Sequence, residues 1–395
     1  MHAPATKPKP EPATIVATVP HHDNSPLSAL RDIAAASGMS PSQAVRDFAN
    51  LAIGPGKVSF EDYVRLRLFD LAYWAGCDRR TVVGQRRNRA LVVEVNYRHD
   101  WYGLVSDKIA STSYLAAYGL PTIPIAAIFA PRLKLGAAHI LRSRADLERF
   151  LLRDDVYPLF GKPADGFQSL GSIALRKPHQ DRGELETING TFVRFEDFLD
   201  DVSRHYEGGY IFERFMPPHP DAARLYGERL GTTRIVTLCD ADGPQIFRAS
   251  WKIPSGQNTA DNFWRSGNLL AKIDLESGAV EKVVSGTGFD TRLETHHPDT
   301  GAPLIGAAVP RWSDVKEVAL EGARVMRHVP MLGWDLGSAA EGPVIVEMNE
   351  TPDLFLNQFA NARGVLEADF LAFMAEQERA AKAHEAWMKR QIAKL

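Results

Sequence analysis

Two short apolar segments near the C-terminal end carry acidic residues at fixed positions, and they constrain the fold more than any other part of the sequence. Gly333–Asp335 is followed, after a Gly-containing turn, by the alternating run Val344–Asn349. Side chains alternate along a strand, so Glu347 and Asn349 share one face while the residues between them point into a core. A hairpin-like pair of strands would bring Asp335 opposite them. The sequence therefore predicts three oxygen-bearing side chains that converge.

Two carboxylates and one amide oxygen form a donor set that suits magnesium. This ion prefers hard oxygen ligands in an octahedral shell and keeps positions for water or phosphate oxygens. Asp335, Glu347 and Asn349 are therefore the predicted metal ligands. The alternative is a hairpin that presents polar residues to solvent, which is a common pattern in antiparallel sheets. The hairpin residues alone leave both interpretations open.

A lysine followed by a Gly- and Ser-rich loop forms a second pattern. Lys162 ends a predicted strand, and the loop after it contains Gly166, Ser169, Gly171 and Ser172. Glycines let backbone N–H groups face a phosphate, and the lysine adds a compact positive charge, which suits a triphosphate. The lysine precedes the glycines, so this is not a Walker A loop, and Gly-x-Ser-x-Gly does not fit either. A plain turn between two strands is the alternative.

A third pattern is the apolar strand Tyr210–Met216, which ends before Pro217. Such a strand can present backbone groups to the edge of an adenine, while Phe215 supplies flat apolar surface. The alternative is an ordinary buried strand.

Bulk composition excludes several classes of protein. A chain of 395 residues exceeds what one core usually supports, so two or three packed units are expected. Its net charge of −3 supplies no general field for nucleic acid or an anionic membrane. Cys77 and Cys239 are too far apart in sequence to indicate a disulfide framework or a zinc site. With no signal-peptide pattern and no apolar run long enough for a membrane span, we expect a cytoplasmic protein.

Local patterns predict an α+β or α/β fold in several parts. Apolar residues recur at helical spacing from Ser28 to Gly76, with Ser40 and Ser59 as N-caps, and the run after Ser59 reads as one helix up to Gly76. Further helices are predicted at 106–120, 143–152 and 195–206, and strands at 122–130, 157–163, 172–177, 210–216, 234–240 and 245–253. The predicted division is a flexible tail at 1–25, a helical extension at 26–98, an α/β linker unit at 99–156, a small lobe with a glycine-rich lid at 157–216, and a C-terminal lobe with the metal site at 217–395.

Taken in order, the three patterns resemble the ATP-grasp superfamily, most closely its sugar-transfer associated branch, and they are similar to glutathione synthetase-like and glutamate ligase-like enzymes. The resemblance covers roughly residues 106–364, and the helical region before it looks like the N-terminal extension of that branch. It implies an ATP-grasp fold in which two α+β lobes clasp ATP, preceded by a helical unit. The joint order and spacing are far more specific than any one pattern.

The resemblance also implies roles for single residues. Lys108, at a helix start before the run GLPTIP, and Lys162 correspond to nucleotide-binding lysines, and Glu213 to the hinge glutamate that meets adenine. Arg234 resembles a strand arginine that neutralises the transferred phosphate, with a surface salt bridge as the alternative, and Lys252 resembles a second basic residue there. The implied nucleotide-binding set is Lys108, Lys162, Gly166, Ser169, Gly171, Ser172, Glu213, Phe215 and Asp221, the last as a ribose ligand. The implied catalytic set is Arg234, Lys252 and Asn349.

The activity implied by the resemblance is that of an ATP- and magnesium-dependent ligase. ATP would lie between the small lobe and the C-terminal lobe, and a substrate carboxylate would become an acyl phosphate that an amine, thiol or hydroxyl intercepts. The implied cofactors are ATP and Mg²⁺, with two ions and Mn²⁺ as a substitute. The implied partners are a small-molecule or peptide carboxylate and a nucleophile, with no nucleic acid and no membrane span. The oligomeric state and the identity of both substrates stay open.

Two alternatives to a ligase remain. One is an ATP-dependent phosphotransferase that acts on a sugar, because a phosphate and metal site does not dictate the acceptor. The other is a non-catalytic partner protein that senses ATP.

Overall fold

The computed structural model describes residues 26–133, 139–164, 171–206, 208–256, 261–264 and 267–394. The chain divides into two compact units. The smaller unit contains Pro124–Phe215, and the larger contains the described residues up to Ile123 together with those from Met216 onward. The predicted linker unit at 99–156 is thus shared between the two, and the five-part division stays a prediction.

In the described part of the chain, the helices are α1 (Pro26–Ser37), α2 (Pro41–Ile53), α3 (Phe60–Arg65), α4 (Gln85–Val95), α5 (Tyr102–Ser106), α6 (Lys108–Ala117), α7 (Arg144–Leu151), α8 (Phe195–His205), α9 (Pro220–Tyr226), α10 (Trp312–Val325), α11 (Leu354–Asn361) and α12 (Ala368–Ile392). None of these helices combines the length and the hydrophobicity that a membrane span requires.

The strands of the smaller unit are β1 (Ile125–Phe129), β2 (Ile140–Leu141), β3 (Leu159–Pro163), β4 (Ile173–His179), β5 (Glu184–Thr187), β6 (Phe192–Arg194) and β7 (Tyr210–Arg214). Those of the larger unit are β8 (Thr232–Asp240), β9 (Gly243–Ile253), β10 (Leu269–Ile273), β11 (Val280–Ser285), β12 (Arg292–Leu293), β13 (Met331–Ala339) and β14 (Gly342–Asn349). Each set forms one sheet, in the orders β2-β1-β7-β3-β4-β5-β6 and β12-β11-β10-β9-β8-β13-β14. Each unit combines one β-sheet with α-helices, which confirms the predicted α+β class.

The predicted N-caps of the N-terminal helices are confirmed. The side chains of Ser40 and Ser59 each accept a hydrogen bond from the backbone N–H of the residue three positions later. In turn, the side chains of Gln43 and Asp62 accept hydrogen bonds from the backbone N–H groups of the two serines. These reciprocal bonds satisfy backbone donors that a helix start leaves free. The sequence therefore defines where α2 and α3 begin.

The prediction of one continuous helix from Ser59 to Gly76 is wrong, because α3 ends at Arg65. Arg67 adopts a left-handed conformation with φ of 54°. Its side chain binds Asp70 and the carbonyl of Thr291, and the indole of Trp74 donates to the carbonyl of Leu66. These contacts favour a compact series of turns over helix continuation, although the apolar spacing fits a helix.

The smaller unit has its own core. Phe198 and Leu199 of α8 and Leu147 of α7 are fully buried, in the same cluster as Tyr210 and Phe212 of β7. The strands predicted for this region are confirmed as β1, β3, β4 and β7. Strands β5 and β6 lie in a polar stretch for which no strand was predicted.

One hydrophobic core of the larger unit lies on the face of its sheet that α10 covers. Ala319 and Ala323 of α10 pack in the same cluster as Trp251 and Trp334. Gly322 allows the close approach, because a Cβ there would lie 2.7 Å from the Trp334 ring. This packing directs the opposite faces of β8, β9 and β13 away from the core. No helix was predicted for α10 or α11, and no strand for β10–β12.

Asn96 fixes the start of β13 from outside the sheet. It is fully buried, and its Nδ2 donates to the carbonyls of Met331, at 2.8 Å, and Glu350, at 3.0 Å. Its Oδ1 accepts from the Met331 N–H at 2.8 Å. One side chain thus joins the beginning of β13 to the residue that follows β14.

We predict that Asn96→Ala lowers the free energy of unfolding by about 2–4 kcal/mol, because buried backbone groups lose their partners. The measurement is urea denaturation followed by tryptophan fluorescence. The matched control is Asn50→Ala, which removes an exposed asparagine of α2 and should change the free energy by less than about 0.5 kcal/mol. Equal effects of the two substitutions would contradict the role assigned to Asn96.

Candidate functional site

Three charged residues lie together on the face of the larger sheet opposite the α10 core. In the strand register, Arg234 of β8 is paired with Asp335 of β13 on one side and with Ser250 of β9 on the other. Lys252 of β9 is paired with Thr232. Directly opposed residues share a face, and so do residues two apart on one strand. The sheet therefore holds Arg234, Lys252 and Asp335 on one surface.

These side chains form a buried ion-pair network. Arg234 Nε lies 2.6 Å from Asp335 Oδ1, and Arg234 Nη2 lies 2.9 Å from Oδ2. Lys252 Nζ lies 3.1 Å from Asp335 Oδ2 and 3.4 Å from Asp261 Oδ1. The remaining oxygen of Asp261 accepts from the N–H and the hydroxyl of Thr232. The side chain of Asp335 is only 7% exposed, so this pairing is little screened by water.

The network holds Asp335 and Arg234 in their charged forms. Burial alone would raise the pKa of Asp335, but the charges of Arg234 and Lys252 outweigh it and hold that pKa far below its usual range. Burial alone would lower the pKa of Arg234, but the charge of Asp335 outweighs it and raises that pKa. The site therefore presents positive groups whose positions are fixed before any ligand binds.

The predicted hairpin is confirmed as β13 and β14, which pair antiparallel. Asp335 lies directly opposite Glu347, and Gly333 lies opposite Asn349. A bulge in the register follows Asp335, between its pairing with Glu347 and that of Leu336 with Ile345. The two carboxylates and the amide therefore share one face, as the alternation predicts.

Lys108 lies against this hairpin. It opens α6, where Asp107 is the N-cap and accepts from the N–H groups of Ile109 and Ala110. The Nζ of Lys108 lies 3.3 Å from Glu347 Oε1. The cap thus positions a lysine beside one of the predicted metal ligands.

The donor set fits a magnesium ion. Asn349 Nδ2 is buried, and the part of the chain that the structure describes offers it no hydrogen-bond partner. The nitrogen and oxygen of an amide are told apart only by their hydrogen bonds, and reversing the group would place an oxygen there. With the carboxylates of Asp335 and Glu347 on the same face, this gives the hard oxygen donors that magnesium prefers. Across the described residues, no group of three or more His, Cys, Asp and Glu side chains is arranged to hold a metal.

The smaller unit holds a second buried ion pair. Lys162 Nζ of β3 lies 2.8 Å from Glu213 Oε1 of β7, and their side chains are 8% and 2% exposed. In the register Glu213 faces Phe160, two residues before Lys162, so the pair is diagonal across adjacent strands. The sheet thus brings together the two residues predicted to bind the phosphates and the adenine.

Gly171 requires glycine for structural reasons. Its φ is +76°, and a Cβ there would lie 2.2 Å from the hydroxyl oxygen of Tyr206. Its carbonyl accepts a hydrogen bond from the hydroxyl of Tyr210 at 2.8 Å. Ser172 follows it and is half-buried, while Gly166 and Ser169 lie outside the described residues.

The other predicted nucleotide residues lie at the ends of secondary-structure elements. Phe215 follows β7, is half-buried, and donates its N–H to the carbonyl of Pro158. Asp221 is exposed in the first turn of α9, where it pairs with Arg224 and lies 3.5 Å from His219.

Three residues of the site were missed in the sequence. Asp261 bridges Lys252 to Thr232, and Asp353 accepts from the indole N–H of Trp264 at 2.8 Å. The third is Arg65, whose guanidinium lies 4.0 Å over the ring of Trp264. No periodic pattern constrains these side chains, and no spacing rule links segments so far apart.

The chain belongs to the sugar-transfer associated ATP-grasp family, whose model matches residues 86–370. This confirms the predicted family and the ATP-grasp class of fold. No curated protein is significantly similar to the sequence.

Ligases of low sequence identity are among the solved structures to which the chain is similar. They include the D-alanine-D-alanine ligase from Coxiella burnetii, with 12% identity, a TM-score of 0.42, and coverage of 74% of this chain and 62% of that one. The D-alanine--D-alanine ligase from Bacillus anthracis has 12% identity, a TM-score of 0.39, and coverage of 71% and 70%. The ATP-grasp ligase PsnB, complexed with its minimal precursor, has 12% identity, a TM-score of 0.36, and coverage of 69% and 61%. The chain spans less than two thirds of the first and third of these proteins.

We predict that Asp335→Ala lowers the free energy of unfolding by about 3–5 kcal/mol, because it leaves Arg234 and Lys252 buried without their shared counter-charge. The measurement is urea denaturation followed by tryptophan fluorescence. The control is Asp314→Ala, which breaks a surface pair with Arg311 and should cost about 1 kcal/mol or less. A loss for Asp335→Ala no larger than the control's would show that the network does not support the sheet.

Proposed function

We propose that the protein is an ATP- and magnesium-dependent ligase that activates a carboxylate as an acyl phosphate and joins it to an amine, thiol or hydroxyl. The observation that carries the proposal is the fixed group of Arg234, Lys252 and Asp335, with Glu347 and Asn349 on the same sheet face. Membership of the ATP-grasp family supports it. We include formation of a C–N bond, with an amine as the nucleophile, and a cytoplasmic location in the proposal.

The proposed reaction has two steps. A substrate carboxylate oxygen attacks the γ-phosphorus of ATP, the bond from that phosphorus to the bridging oxygen breaks, and ADP leaves. The nucleophile then attacks the carbonyl carbon of the acyl phosphate, and the carbon–oxygen bond to phosphate breaks, which releases phosphate. Negative charge on the phosphoryl oxygens increases during transfer, so positive groups held in place lower the barrier.

Arg234 is suited to meet the phosphoryl oxygens. Nε and Nη2 each donate one hydrogen bond to Asp335, and Nη1 donates one to the carbonyl of Pro352. A guanidinium has five N–H groups, so about two remain for a ligand. Lys252 adds a second positive charge beside it, and Asn349 adds an amide that can orient a substrate oxygen.

In this proposal Asp335, Glu347 and Asn349 hold magnesium, which supplies positive charge to the phosphate oxygens. A second ion and substitution by Mn²⁺ are part of the same hypothesis. Asp335 and Glu347 are already paired with basic residues. When the two carboxylates bind the ion, these basic residues become available to contact phosphates. Binding of the ion should therefore be coupled to binding of the phosphates.

Nucleotide recognition is assigned residue by residue. We propose that Lys162 and Lys108 bind phosphate oxygens, that Glu213 and Phe215 meet the adenine, and that Asp221 meets the ribose. The support is that both side chains of the Lys162–Glu213 pair are buried, whereas those of a surface ion pair are exposed to solvent. Gly166, Ser169, Gly171 and Ser172 complete the proposed phosphate loop.

We predict that Mg²⁺-dependent ATP binding, measured by calorimetry, is weakened at least about 10-fold in Lys162→Ala and in Glu347→Ala, because each loses a charged contact. The matched controls are Lys177→Ala, on the exposed side of β4, and Glu341→Ala, at the turn of the β13–β14 hairpin. These controls should bind ATP as the wild type does. Unchanged binding in both site variants would mean that the nucleotide site lies elsewhere.

We predict that ADP and phosphate are released only when a carboxylate and a nucleophile are both present. The measurement is phosphate release with pooled amino acids and sugar acids, followed by mass spectrometry of the products. A new amide, ester or thioester supports the ligase. A phosphorylated sugar with no free phosphate would establish the phosphotransferase, and ATP binding without turnover in any pool would favour the ATP-sensing role.

A further inference from the structure

Arg65 lies outside the segment matched by the family model and yet is close to the proposed site. It is the last residue of α3, whereas the match begins at residue 86. Its guanidinium carbon lies 4.0 Å from the centre of the Trp264 ring and 5.8 Å from that of Phe355. The side chain is half-buried, and within the part of the chain that the structure describes its guanidinium forms no ion pair. Its charge is therefore held in place without being neutralised.

A chain of contacts connects Arg65 to the ion-pair network. Trp264, beneath the guanidinium, donates its indole N–H to Asp353 at 2.8 Å. The neighbouring residue, Pro352, accepts from Arg234 Nη1 at 3.2 Å. Asp353 is also the N-cap of α11, in a left-handed conformation with φ of 48°. Arg65 thus lies on the far side of one short loop from Arg234, near the start of α11.

Two buried polar groups belong to α11 and to the sheet face that it covers. Leu270 faces Lys252 in the register and packs in one cluster with Phe355, so α11 covers the sheet face that carries Lys252. Ser250 is also on this face, and its fully buried hydroxyl has no hydrogen-bond partner among the described residues. Asn357 of α11 is 1% exposed, and within the same described ranges neither atom of its amide has a partner. Buried polar atoms are rarely left unsatisfied, so these groups indicate a polar ligand.

The charge of Arg65 suits an anion at this position. Burial lowers the pKa of Arg65, and Asp353, Glu61 and Asp62 act against that change from a distance. An arginine nevertheless remains charged at neutral pH. A planar guanidinium without an ion pair matches a carboxylate through two parallel hydrogen bonds.

We propose that Arg65 binds a carboxylate of the substrate that does not take part in the reaction, while Ser250 and Asn357 hydrogen-bond to other polar groups of that substrate. This inference rests on the proposed ligase function, in which the reacting carboxylate meets Arg234 and Lys252. The loop Pro352–Asp353 separates those residues from Arg65, so Arg65 meets a different group. The enzyme therefore takes a substrate with two carboxylates, such as a dicarboxylate or an acidic amino acid, and its N-terminal helical extension contributes to specificity.

The test uses glutarate as the probe, without nucleotide, and follows intrinsic tryptophan fluorescence. We expect a saturable change in the wild type that is lost in Trp264→Phe, because this tryptophan lies against Arg65. Arg65→Gln should weaken glutarate binding at least about 10-fold, and Arg65→Lys should weaken it less, because lysine keeps the charge and loses the paired hydrogen bonds. Arg46→Gln is the matched control, since Arg46 is an exposed arginine of α2 and should leave the response unchanged.

Neutral glutaramide and inorganic phosphate complete the experiment. We expect no response to glutaramide and a weaker one to phosphate. No glutarate response in the wild type, an equal response in Arg65→Gln, or a stronger response to phosphate would each overturn the inference. Mg²⁺-dependent ATP binding is measured on the same wild-type protein, so that a missing nucleotide site, which would defeat the proposed function, is distinguished from a missing carboxylate subsite. Should Arg65→Gln fail to fold, the graded loss in Arg65→Lys decides the question.

Discussion

The pairing of Asp335 with Arg234 and Lys252 is the interaction on which the rest of the larger unit's polar face depends. A buried carboxylate is unfavourable alone, and two cations in a low-dielectric setting offset that cost. Three neighbouring strands contribute one residue each, so the backbone hydrogen bonds of the sheet fix the distances between charges. A shift of one residue in any strand would turn its charged residue into the α10 core. The register of the sheet therefore determines which charged residues share this face.

The hairpin could be predicted because its signal is local. Alternation with a period of two decides which residues share a face, and a Gly-containing turn of a few residues makes the strands pair. Glu347 and Asn349 fall on one face for that reason, and Asp335 lies opposite Glu347. Lys162 and Glu213 could each be predicted from a local pattern, but their pairing could not. Their two strands are about fifty residues apart, and nothing in either strand specifies the other.

Residues that act through distant segments could not be found in this way. Asp261 and Arg65 come from loops or helix ends, where no period constrains the side chain, and each becomes important only through a contact with a strand or loop far along the chain. The end of α3 is a similar case. Helical spacing continues past Arg65, but the left-handed Arg67 and its bond to Thr291 make the chain turn. Tertiary contacts of this kind override a weak local preference.

The helical extension is part of the larger unit's structure and not an appended segment. Tyr73 stacks on Phe359 of α11 and donates its hydroxyl hydrogen to the Phe359 carbonyl at 2.6 Å. Since α11 covers the face that carries Lys252, the extension supports that helix from its outer side as well as contributing Arg65. A family model that begins at residue 86 captures the strands that hold the charges. It omits the extension that packs against α11. Among the described residues, Ser250 on the sheet face that α11 covers and Asn357 of α11 itself carry polar atoms without hydrogen-bond partners, so the proposed substrate subsite involves a helix that the extension supports.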